Sequence, residues 1–138
     1  MARLSKPQWR CPKCGHRFVT RNLSHSCGRH RLVDHFRGKP RTLDDTFRRW
    51  VTIARRSGPL TVYAQKTRIV LQARVRFSAA TVRSKCLDVH LWLRRRVAHP
   101  RVRRIDNGGA LGYVVHFRLT TPGEIDRALA ALIREAYD

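Results

Sequence analysis

Acidic side chains are scarce in this chain: Asp and Glu together number 9, against 30 Lys and Arg, which leaves a formal net charge of +21 at pH 7. So few carboxylates cannot neutralise the basic side chains from within, and no paired carboxylates stand out for acid–base hydrolysis. Long apolar runs are also missing. None approaches the roughly 20 residues needed to cross a bilayer, and no long helical pattern joins a basic face to a broad apolar one, so no membrane partner is expected. Residues 1–10 are basic without an apolar stretch, so they do not read as a secretory signal, and the chain is expected in the cytoplasm. Neither a Ser or Cys nucleophile arrangement nor a phosphate-binding glycine loop is found, which makes an enzyme the less favoured reading.

What is present argues for a folded, basic protein. Hydrophobic residues make up 42% of the sequence and recur periodically, which separates it from a disordered polycation. A chain of 138 residues holds one modest core and a short appendage. Of the basic residues, 25 are Arg. A codon bias toward Arg explains part of that number but not the shortage of acids, so a polyanion such as RNA or DNA is the expected partner.

Residues 9–30, WRCPKCGHRFVTRNLSHSCGRH, combine Cys, His and Arg without one acid. They set a zinc-finger-like segment over residues 1–30 apart from a domain over residues 31–138. A short helix is expected from Leu32 to Arg37, stopped by Gly38 and Pro40. Thr42 is placed to cap a second helix, with Asp44 and Asp45 in its first turn, Phe47, Trp50, Val51 and Ala54 on its inner face, and Gly58-Pro59 at its end. Strands follow: Leu60–Ala64, one long strand Thr67–Phe77, then the alternating runs at Leu87–Leu93 and Tyr113–Leu119. The Arg-rich stretch between the last two reads as a long connection with a turn at Asn107-Gly108-Gly109. Thr121-Pro122-Gly123-Glu124 opens a final helix whose apolar face carries Ile125, Ala128, Leu129, Leu132, Ile133 and Ala136. The fold class is therefore α+β, an antiparallel sheet of about four to five strands with helices packed on one face, preceded by the zinc-binding segment.

Cys11-Pro-Lys-Cys14-Gly is a compact knuckle whose two thiolates reach one tetrahedral ion, and His25 follows at finger-like spacing. The fourth ligand is either Cys27, the stronger zinc ligand, or His30, which gives the four-residue gap of Cys₂His₂ fingers. Four protein ligands leave no open position, so Zn2+ here is structural. A redox pair is disfavoured because no βαβ context surrounds the motif. Cys86 stands alone and reads as a structural thiol.

The runs WRCPKCGHRF, SHSCGRH, VDHFRGKP, KTRIVLQARVRF, LDVHLWL and LTTPGEIDRALAALIREAYD together resemble a bacterial family, the domain of unknown function 5655. The resemblance covers nearly the whole chain, with the named domain from about Val33 onward. It implies Cys11, Cys14, His25 and Cys27 as the ligand set of the leader, and it implies no activity. The density of Arg, at Arg94–Arg96 and Arg101–Arg104, departs from that pattern.

Two basic patches are expected to grip phosphates: Arg10, Lys13, Arg17 and Arg21 in the leader, and Arg94, Arg95, Arg96, Arg101, Arg103 and Arg104 on the long connection. Trp9 and Phe18 offer stacking surfaces, although such aromatics more often pack a finger's own core. The sheet face away from the core collects Asp88, His90, Trp92, His116 and Arg118, with Lys66 nearby. Lys66, Asp88, His90 and His116 are the candidates for a ligand pocket or acid–base site, against the blander reading of a solvated sheet face. The function expected is a zinc-containing, nucleic-acid-binding accessory protein. The alternatives are a small-molecule or catalytic site on that face and a protein-interaction adaptor.

Overall fold

Apolar residues at helical spacing fix the second helix against the sheet and organise the rest of the chain around it. A computed structural model describes residues 9–12, 17–18 and 30–138. Two short strands, β1 (Trp9–Arg10) and β2 (Arg17–Phe18), pair antiparallel as a hairpin. Helices α1 (Leu32–Phe36) and α2 (Arg41–Arg55) follow, then strands β3 (Thr61–Ala64), β4 (Ile69–Gln72), β5 (Arg76–Val82), β6 (Leu87–Leu93), β7 (Val102–Asn107) and β8 (Tyr113–Leu119), and last helix α3 (Arg127–Tyr137). The six longer strands form one antiparallel sheet in the order β3-β4-β5-β6-β8-β7.

The core lies between one face of this sheet and helices α2 and α3. Leu87, Val89, Leu91 and Leu93 of β6 alternate inward beside Val115, Phe117 and Leu119 of β8, and meet Leu43, Phe47, Trp50, Ile53, Leu129 and Ile133 from the helices. The alternation expected for β6 and β8 is observed, as are the inner positions Phe47, Trp50 and Ala54, while Val51 is only half-buried.

Four expectations are corrected. The stretch Thr67–Phe77 is two strands, because Ala73-Arg74-Val75 forms a tight turn in which the Ala73 N–H donates to the Val75 carbonyl (3.0 Å). The sheet has six strands, the sixth being β7 inside the Arg-rich connection. Helix α2 starts at Arg41 with Pro40 in the N-cap position and no side-chain cap, so Thr42 lies within the first turn; the Pro40 carbonyl accepts from the Leu43 N–H (3.0 Å). The capping box at Thr121 and Glu124 exists, but it closes a single 3₁₀ turn, Pro122–Glu124. Helix α3 has its own N-cap, Asp126, whose carboxylate accepts from the Leu129 N–H (2.8 Å), so Ala128 lies exposed in its first turn.

Three local devices hold the frame. Between β4 and β5 the register slips by one residue, Leu71 facing Ser78 and Gln72 facing Arg76, which leaves Phe77 as the bulged residue. Phe77 and Ser78 are both buried there, as expected when a bulge turns two neighbours to one side. Gly58 has φ +145°, and a Cβ at that position would come within 2.4 Å of the Tyr137 hydroxyl, which donates to the Pro59 carbonyl (2.6 Å). His99, with its side chain 4% exposed, donates from Nε2 to the Asp126 carboxylate (3.0 Å) and accepts at Nδ1 from the Arg101 N–H (3.0 Å), so the Arg-rich connection is pinned to the start of α3.

Candidate functional site

The antiparallel register lines up one row of side chains across the face of the sheet that turns away from α2 and α3. Tyr63, Val70, Ala79, His90, His116 and Arg104 stand opposite one another in that order from β3 to β7. Trp92, Val114 and Asp106 form the next row, and Thr81, Asp88 and Arg118 a third. The two histidine rings lie 5.2 Å apart between centroids, and the Trp92 ring meets His90 edge to face at 4.7 Å.

Within this cluster the two imidazoles have different surroundings. His116 Nε2 donates to Asp106 Oδ2 (2.9 Å), and Arg104 Nε donates to the same carboxylate (3.2 Å). Among the described residues His90 makes no hydrogen bond at either nitrogen, and neither does the Trp92 indole. Burial, helped by His116, Arg68 and Arg104 and opposed by Asp106, pulls the His90 pKa down from 6.5 to about 4, so the ring is neutral near pH 7.

This has a measurable consequence. Unfolded His90 takes up its proton near pH 6.5 and folded His90 only near pH 4, so between those values the unfolded chain binds more protons. His90 therefore contributes stability that is complete above pH 6.5 and drains away as the pH falls toward 4. Urea unfolding at pH 7 and pH 4 is expected to show the wild type losing up to about 3 kcal/mol more than His90→Phe. Equal losses in the two proteins would contradict the assignment.

The structure redraws the pocket expected from sequence. His90 and His116 come together as anticipated. Asp88 does not join them: in its own row it forms an ion pair with Arg118 (3.3 Å), and it forms another with Arg83 just past β5. Lys66 is exposed in the β3–β4 turn, and the cation whose field reaches His90 from that side is Arg68. Asp106, the carboxylate that orients His116, was missed because β7 was read as loop; a bulge between Val102 and Arg104 hides the period-2 signal of that strand.

The arginine connection is redrawn as well. Its six arginines do not share one loop. Arg95 pairs with Glu135 on α3 (2.8 and 3.1 Å) and Arg101 with Glu124 (2.5 Å), whereas Arg104 sits on β7 beside Asp106. Arg96 lies over the Tyr113 ring at 5.7 Å, and Arg94 and Arg103 have no hydrogen bond or ion pair among the described residues. All six side chains remain exposed.

In the leader, Arg10 and Arg17 are exposed on the β1–β2 hairpin, Cys11 is buried and His30 is half-buried. Gln72 Nε2 donates to the Arg17 carbonyl (2.6 Å), which seats the hairpin on the β4 side of the polar sheet face. Lys13, Cys14, Arg21, His25 and Cys27 lie outside the described residues. Among the described residues no group of three or more His, Cys, Asp or Glu is placed to hold a metal, and no helix is long and apolar enough to cross a membrane.

Residues 32–138 match the family described as a domain of unknown function (DUF5655). No curated protein and no solved structure matches the chain.

Proposed function

We propose, from the premise that this chain belongs to the DUF5655 domain-of-unknown-function family, that it is a zinc-containing protein binding the phosphate backbone of nucleic acid. One observation carries the reading: the positive charge exceeds anything the fold can neutralise internally. Six carboxylates, Asp34, Asp44, Asp88, Asp106, Glu124 and Glu135, already form ion pairs with arginines, and Asp126 bonds to His99. The chain carries only 9 acids against 30 Lys and Arg. The surplus positive charge is therefore balanced from outside the fold, and Arg suits phosphate through its two-pronged donor geometry. Exposed ion pairs are weak and are screened by salt, so even arginines with an internal partner are available to exchange it for phosphate.

Zinc fits the donor chemistry of the leader. Cys11 is buried at the end of β1, and the Cys-x-x-Cys spacing to Cys14 suits two thiolates on one ion. With Cys11, Cys14, His25 and Cys27 as ligands, the ion would brace a segment too short to build a core of its own. Elemental analysis is expected to give close to one zinc per chain, lost in Cys14→Ser; a wild type with almost no zinc would refute this.

Protein purified at low salt is expected to carry nucleic acid, and Arg94→Glu combined with Arg103→Glu is expected to weaken binding of a labelled oligonucleotide about ten-fold or more, since each change adds repulsion where attraction stood. Unchanged affinity in that double variant would remove this pair from the interface. A second reading, a small-ligand or acid–base site on the polar face, draws on the unbonded His90 ring beside the His116–Asp106 pair. Its mark would be a metabolite bound at His90 with no nucleic acid copurifying.

A further inference from the structure

We propose that the β6–β8–β7 half of the polar sheet face is a seat for an unpaired nucleotide, with the base stacked on Trp92 beside His90 and its phosphate held by Arg104. This deepens the nucleic-acid reading above and rests on it.

The two halves of this face differ. On the β4–β5 side Val70, Gln72 and Ala79 are buried, and Gln72 is tied to the leader hairpin through the Arg17 carbonyl. Toward β7, Trp92, His90 and His116 are only partly buried, and the Arg104 and Arg118 side chains are 66% and 46% exposed. The hairpin on one side and the edge strand on the other leave a ledge floored by aromatic rings and bordered by guanidinium groups.

The chemistry of that floor selects a base. Side chains on the wet side of a sheet are usually long and polar and satisfied by water. Here a tryptophan and a neutral histidine meet edge to face with no hydrogen bond to their ring nitrogens among the described residues, so the floor offers ring surface together with an N–H from each ring. Sheet surfaces carrying aromatic residues accept splayed bases by stacking, which every base supports because each has a π-face. The His116–Asp106–Arg104 contacts hold a guanidinium at the margin of the floor, placed for the phosphate of the seated nucleotide. A duplex hides its base faces, so it gains nothing from the rings.

The test compares fluorescence anisotropy of one labelled oligonucleotide as a single strand and as a duplex, against the wild type, Trp92→Ala and Trp92→Phe. Base–aromatic stacking predicts that Trp92→Ala weakens single-strand binding by about 5- to 150-fold with duplex binding unchanged, and that Trp92→Phe restores most of it. Single-strand binding is also expected to quench the tryptophan emission of the wild type more than that of Trp92→Phe, a comparison between two folded proteins that holds even where Trp92→Ala fails to fold. Single-strand affinity unaffected by Trp92→Ala, or quenching equal in the two proteins, overturns the nucleotide seat and leaves backbone binding standing. No binding of either form at low salt overturns both.

Discussion

Trp50→Ala is expected to lower stability by about 3–5 kcal/mol, the loss typical of removing a large buried aromatic. The indole is 0% exposed on the inner face of α2, and its ring lies 6.4 Å from that of Phe117 across the helix–sheet boundary. Its Nε1–H donates to Ser78 Oγ (3.0 Å), a hydroxyl that the β5 bulge turns into the core. The substitution therefore opens a cavity and removes the donor to a buried oxygen at once. Domains are held by about 5–15 kcal/mol in total, so the variant is expected to melt on the order of 10 °C or more below the wild type. Trp50→Phe keeps most of the ring and loses the hydrogen bond, so it should fall between the two. A Trp50→Ala melting point within a few degrees of the wild type would show that α2 is not the principal contact of the sheet.

The elements legible in the sequence were those with an unbroken period. The alternation of Leu87, Val89, Leu91 and Leu93 and the helical spacing of Phe47, Trp50 and Ala54 each express one physical demand, burial of one face. The misreadings share a cause, which is a local irregularity that keeps or breaks the pattern misleadingly. Ala73 and Val75 continue the apolar phase through what is a tight turn, and Val75 ends 45% exposed. The bulge in β7 puts Val102 and Ile105 an odd number of residues apart on the same side, so an edge strand looked like a loop. With that strand went Asp106, and the carboxylate of the histidine cluster was assigned to Asp88. Periodicity also says nothing about which charges meet. The distribution of Arg95, Arg101 and Arg104 between α3, the 3₁₀ turn and the polar face depends on contacts 40, 23 and 2 residues apart in sequence, only the last of which is local.

External anion binding is the central requirement of the proposed function. Phosphates neutralised by Lys and Arg release condensed counterions, and this gives a logarithmic salt dependence proportional to the number of phosphates engaged. The surplus of exposed arginines predicts a steep response. With roughly six or more phosphates contacted, the affinity for a DNA or RNA oligonucleotide should fall by about 300-fold or more between 50 and 200 mM salt. Surface charge that serves only solubility would bind weakly at every salt concentration and show no such slope. The decisive measurement is a salt titration of oligonucleotide affinity on the full chain with its zinc content verified. A linear log–log plot with a slope of about −4 or steeper is the predicted result, and an affinity that is negligible at low salt, or nearly constant across the range, would contradict it.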